Sequence, residues 1–181
     1  MPRLVGGIFV GGRASRMGGA AKGLLPHPRG GRLIDHLSAI VRAVGAEVVL
    51  VGDHPDYREL GLPVLSDARP AAGPIGGLIA LLERAGDGAA LALACDMPYL
   101  EEDDLRAVIA AKGDHLAVSP IRGGRLEPFA TLYDARALPV AIEREARGER
   151  SLLGLLDALD AHAIVLDPSH LRDWDRPEDI T

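Results

Sequence analysis

The run Gly11-Gly12-Arg13-Ala14-Ser15-Arg16-Met17-Gly18-Gly19-Ala20-Ala21-Lys22 joins a permissive backbone to three fixed cations. Glycines let backbone N–H groups approach an anion closely, and the arginines and lysine neutralise its charge. The chemistry such a run can do is capture of a phosphate. It is not a Walker A loop, because no Gly-Lys-Ser/Thr closes a Gly-x4-Gly-Lys spacing, and it lacks the Gly-x-Gly-x-x-Gly of dinucleotide-binding folds. Nor does Ser15 sit in a nucleophile elbow, since Met17 stands where the closing glycine would be. A flexible arginine- and glycine-rich surface loop is the alternative reading of the same residues.

Carboxylates supply the complementary chemistry. Asp96 ends the most apolar run of the chain, in Cys95-Asp96-Met97-Pro98. A carboxylate released there suits a hard divalent cation such as magnesium, which takes one or two carboxylates and completes its shell with water and substrate phosphates. The competing reading is a helix cap. Asp67 ends a second apolar run and reads either as a ribose or base contact or as a turn aspartate. Asp173 and Asp175 flank Trp174, and in extended chain both point to one side. They read as a second metal ligand or as a solvated acidic tail.

Other chemistries find little support. Six histidines show no His-x3-His or Cys/His clustering, which argues against zinc. His27, His36, His54, His115, His162 and His170 read as surface or loop residues. Cys95, the one cysteine, lies in an apolar run and reads as a small buried hydrophobe. A formal net charge of −6 and 3% aromatic residues argue against nucleic-acid partners, and no apolar stretch is long enough to cross a bilayer. The lone cysteine and the absence of a secretory signal pattern lead us to expect a cytoplasmic protein.

The elements that must place these residues alternate along the chain. Apolar runs at Leu4–Val10, Glu47–Val51, Pro63–Leu65 and Ala89–Cys95 predict strands, as do His115–Ser119, Leu126–Leu132 and Ala163–Leu166. Helical spacing predicts helices over Leu33–Val44 and Gly73–Arg84, from Glu101 through Ile109, through Leu138–Ile142, and from an N-cap at Ser151 to Leu159. A short helix is predicted over Asp56–Leu60. Residues 1–181 then read as one α/β domain, a Rossmann-like three-layer sandwich with a mostly parallel central sheet and helices on both faces. Ligands of such sheets bind beyond the carboxyl ends of the strands, where both the Gly11–Lys22 run and Asp96 fall.

Taken together, these motifs resemble the molybdenum cofactor guanylyltransferases, nucleotidyltransferases of molybdopterin-guanine dinucleotide biosynthesis. The family opens with Leu-Ala-Gly-Gly-x-Ser/Ala-x-Arg-Met-Gly-x-Asp-Lys-Gly-Leu, against Phe9 to Leu24 here. Asp67, Gly73-Pro74-Ile75-Gly76-Gly77, Cys95-Asp96-Met97-Pro98, Glu127-Pro128, Gly148-Glu149-Arg150-Ser151 and Pro177-Glu178-Asp179 follow in family order. The resemblance implies a nucleotide-diphospho-sugar transferase-like fold and a magnesium-dependent transfer of GMP from GTP to molybdopterin. The product would be destined for molybdoenzymes or their chaperones. It implies nucleotide contacts from Phe9, Val10, Gly11, Gly12, Lys22, Asp67 and Asp96, with the Gly73-Pro74-Ile75 loop framing the base. Magnesium would sit on Asp96 and Asp175. Arg16 and Lys22 would stabilise the leaving pyrophosphate, and no catalytic histidine is needed because the acceptor phosphate is already ionised. Ala21 replaces the usual Asp before the lysine, and Asp173-Trp174-Asp175 replaces Asn-x-Asn. The alternatives are a cytidylyltransferase for the same acceptor, a nucleotidyltransferase for another phosphorylated metabolite, and a non-catalytic nucleotide-binding accessory protein.

Overall fold

Three short apolar runs form the centre of the sheet: β1 (Leu4–Phe9), β2 (Glu47–Val51) and β4 (Ala89–Ala94). The computed structural model describes residues 3–10, 21–66, 73–174 and 179. A strand covered on both faces must be apolar at successive positions, and these runs divide by the period of two. Ile8, Leu50, Leu91 and Leu93 enter one core, whereas Val5, Phe9, Val51 and Ala92 enter the other. Helices α1 (Leu33–Ala43) and α3 (Glu102–Ala110) cover the first face. Helices α2 (Pro74–Ala85), α4 (Leu138–Ala146) and α5 (Leu152–Ala158) cover the second.

Local chemistry starts these helices where the sequence places them. Glu101 N–H donates to Asp104 Oδ2 at 2.9 Å at the head of α3, and Gly154 N–H donates to Ser151 Oγ at 3.2 Å in α5. Pro74 occupies the first turn of α2, where its missing N–H costs nothing. Close approach of helices to the central strand explains Gly6 and Gly7. A Cβ at Gly6 would lie 2.3 Å from Val41 Cγ1 of α1, and one at Gly7 would lie 2.5 Å from Leu81 Cδ2 of α2.

The strand order fixes where a ligand can be met. β3 (Val64–Leu65), β2, β1 and β4 are neighbours in that order and pair in parallel. The chain moves outward from β1 to β3 and then returns to place β4 on the other side of β1. This reversal is a topological switch point, the position at which open α/β sheets bind ligands beyond the strand ends. The expected layered α/β arrangement is therefore present.

Beyond β4 the sheet becomes mixed. β7 (Thr131–Asp134) is antiparallel to both β4 and β5 (Ala117–Arg122), β6 (Arg125–Leu126) is antiparallel to β5, and β8 (His162–Ile164) is parallel to β5. The strand expected over Leu126–Leu132 is thus two strands. Pro128 has no N–H to donate to a ladder, and Ala130 adopts a positive φ of 54°. The break turns the Glu127 carbonyl onto the hydroxyls of Ser119 and Thr131, at 2.8 and 2.5 Å. Among the described residues no helix is long and apolar enough to cross a membrane.

Candidate functional site at the switch point

The site grows from the ends of β1 and β4. Their register sets Phe9 beside Ala94, and Cys95 N–H extends the pairing by donating to Phe9 O at 3.3 Å. Asp96 is the next residue out. Lys22 arrives on a 3₁₀ turn, Lys22–Leu24. Its Nζ donates to Asp96 Oδ2 at 2.8 Å and to Trp174 O at 2.9 Å. Trp174 N–H in turn donates to Asp96 O at 2.9 Å, so one residue of the C-terminal segment is fastened to both Lys22 and Asp96. The side chains of Lys22 and Asp96 are 17% and 16% exposed. Charges so far out of water hold only if paired, and removal of either strands the other.

A second group of charges adjoins the first. Arg122, at the end of β5, donates to Asp173 Oδ1 at 2.9 Å and to Leu171 O at 3.0 Å, and its other terminal nitrogen lies 3.0 Å from Glu127 Oε2. Burial pushes the Glu127 carboxyl above its ordinary range despite Arg122. Burial also acts to raise Asp173, but the Arg122 guanidinium, aided by the charge of Lys22, brings it below the ordinary value. Asp173 thus forms a part-buried ion pair with Arg122.

Arg122 is the functional-site residue that sequence patterns missed. The signal was Gly123-Gly124 between Arg122 and Arg125, both with positive φ, as a tight type I′ hairpin requires. That hairpin carries Arg122 back over Glu127.

The expectation of surface or loop histidines fails at His36, which lies inside α1, while His27 is a loop residue that is nonetheless covered. His27 is buried and His36 half-buried, and their rings stack with centroids 4.3 Å apart. The Nε2 atoms meet Pro98 O at 2.8 Å and Leu100 O at 2.7 Å. Because His27 Nδ1 accepts the Arg29 N–H at 3.1 Å, its ring proton sits on Nε2 and is donated to Pro98 O. The pair anchors the segment that follows Asp96, and burial lowers the pKa of His36. Cys95 lies one residue past β4 and is half-buried, less covered than expected, and burial pushes its thiol up to about 12, far from a ready nucleophile.

Phe9 and Val10 lie at the strand end as expected, with both side chains buried. The Val10 N–H donates to Val51 O at 3.0 Å, and Phe9 O accepts from Cys95. Gly11, Gly12, Arg13, Arg16, Asp67 and Asp175 lie outside the described residues. Among the described residues no group of three or more His, Cys, Asp or Glu side chains could hold a metal. Of the two expected magnesium ligands, Asp96 is described and stands just past β4, where its carboxylate offers the hard oxygen such a cation takes.

Comparison with known proteins agrees with this geometry. The family model for the MobA-like NTP transferase domain matches residues 6–163. The chain is 34% identical to a molybdenum cofactor guanylyltransferase of Pseudomonas putida over 80% of this chain and 78% of that protein. It is 33% identical to a molybdenum cofactor guanylyltransferase of Serratia proteamaculans over 90% of this chain and 83% of that protein. Its fold superposes on the crystal structure of molybdopterin-guanine dinucleotide biosynthesis protein A from Archaeoglobus fulgidus with a TM-score of 0.78, covering 97% and 94% of the two chains at 20% identity.

Proposed function

The chain belongs to the MobA-like NTP transferase family, and on that premise we propose that it transfers GMP from GTP to molybdopterin with release of pyrophosphate. The observation that carries this reading is the contact of Lys22 Nζ with Asp96 Oδ2, 2.8 Å apart at the switch point of the sheet. We read residues 1–181 as one nucleotidyltransferase domain acting in the cytoplasm, where a free thiol such as Cys95 persists.

In the reaction an ionised phosphate oxygen of the acceptor bonds to the α-phosphorus of GTP. The bond from that phosphorus to the bridging oxygen breaks in line, and pyrophosphate leaves with the electron pair. No proton must be removed from the nucleophile, so no histidine is required. Both reactants are anions, and the protein's task is alignment and charge neutralisation. Lys22 holds oxygens of the leaving pyrophosphate, with Arg16 as its companion. Asp96 and Asp175 would hold magnesium, which would supply a Lewis acid for the phosphate oxygens. Asp67 contacts the nucleoside, and the backbone from Phe9 and Val10 through Gly11 and Gly12 meets the base. The product serves molybdoenzymes or the chaperones that load them.

The test is pyrophosphate release with molybdopterin and magnesium, compared across GTP, CTP, ATP and UTP. GTP is expected to exceed each competitor by about tenfold or more in kcat/KM. Preference for CTP overturns the base assignment, and no release with any triphosphate favours a non-catalytic nucleotide-binding protein.

A further inference from the structure

A buried phenol lies where the two halves of the site join. Tyr57 belongs to the 3₁₀ segment Pro55–Leu60 that follows β2, and only 2% of it is exposed. Its Oη accepts the Gly23 N–H at 2.9 Å. The same junction holds Cys95, because a Cβ built on Gly23 would meet both this oxygen and Cys95 Cβ. Gly23 follows Lys22, and Cys95 precedes Asp96. The oxygen that holds the chain neighbour of Lys22 therefore packs at one point with the chain neighbour of Asp96.

The packing leaves no slack at this junction. A Cβ on Gly23 would lie 2.9 Å from Tyr57 Oη and 3.3 Å from Cys95 Cβ, so only glycine lets the three segments meet. The tyrosine ring is seated edge-on against His54, with centroids 5.5 Å apart at 75°. Burial pushes the Tyr57 phenol above its ordinary range, so it keeps its proton while its oxygen accepts from Gly23. Burying a polar hydroxyl is unfavourable unless it is hydrogen-bonded, and here its partner is the Gly23 N–H, next to Lys22. Nothing in the chemistry proposed above uses this group.

We infer that Tyr57 is a positioning residue for the Lys22–Asp96 pair, its hydroxyl fixing the separation of the segments that bear the ammonium and the carboxylate. The functional consequence rests on the nucleotidyl-transfer reading; the positional one does not. Substrate-positioning groups raise the rate by holding reacting charges in register, and small displacements lower kcat before they weaken binding.

Tyr57→Phe keeps the ring and removes only the oxygen. In the unliganded variant, hydrogen exchange of the Gly23 amide is expected to speed up by about tenfold or more, and NMR should show the Lys22 ammonium protons exchanging faster with water. The Leu91 amide of β4 should keep wild-type protection, which separates loss of position from loss of fold. In turnover with GTP, kcat is expected to fall about tenfold while KM for GTP moves less than about twofold. Gly23→Ala, which drives a methyl against the same oxygen, should reproduce the fall in kcat. A folded Tyr57→Phe with wild-type exchange at Gly23 and Lys22 overturns the inference, as does wild-type kcat in either variant. If the wild-type protein releases no pyrophosphate from GTP, the transfer reading fails on its own, and the two exchange rates still decide whether Tyr57 positions the pair.

Discussion

An ammonium and a carboxylate in contact at about one-sixth exposure are a resting arrangement for a site meant to receive charge. Each ion is already largely drawn out of water and aligned, so a triphosphate and its cation meet partners that are mostly desolvated beforehand. Arg122 extends this logic, because it holds Glu127 and Asp173 together next to the pair. In Arg122→Ala both carboxylates lose their shared cation, and burial raises their folded-state pKa values above those of the unfolded chain. The folded variant then binds more protons than the unfolded one, so its stability falls as pH rises through that window. Urea unfolding should show a loss of about 1–3 kcal/mol near pH 7 and a distinctly smaller one near pH 5. An equal loss at both values would mean that the guanidinium does not compensate these carboxylates. Lys22 and Asp96 were legible in the sequence because each sits at the end of a recognisable pattern, a glycine-rich turn and an apolar strand. Arg122 was not, because its partners are set by a hairpin and by a C-terminal segment far along the chain.

Elements were legible wherever burial demanded a continuous or periodic apolar pattern. β1, β2 and β4 begin where their apolar runs do, and α5 begins at its serine cap. The stretch after Glu127 was not, since its residues are β-prone while Pro128 and the positive φ of Ala130 interrupt the ladder. The position of Gly6 has an energetic reason that composition alone does not show. Val41 is fully buried and β-branched, so it has little rotamer freedom with which to yield to a methyl 2.3 Å away. Gly6→Ala should cost about 1–3 kcal/mol in denaturant unfolding. In Val41→Ala the same change should cost much less, a non-additivity expected of side chains in direct contact. Additive losses would show that strand–helix approach is not what requires glycine here.

At the scale of the molecule, alternating strands and helices announced a layered α/β sheet, but strand order is not written in alternation. The switch point between β1 and β4 depends on which side of β1 the fourth strand joins, and the antiparallel β7 between β4 and β5 follows from a return that no local pattern encodes. That topology is what brings together Lys22 and Asp96, 74 residues apart, and fastens both to Trp174. The most direct measurement is thermal unfolding with GTP and magnesium in the wild type, Lys22→Ala and Asp96→Ala. A ligand bound only to the folded state at about a hundred times its Kd adds about 2.7 kcal/mol, so the wild-type Tm should rise clearly. Both variants should unfold cooperatively yet lose most of that rise. An equal rise in all three proteins, or none in the wild type, would contradict the claim that this pair holds the nucleotide.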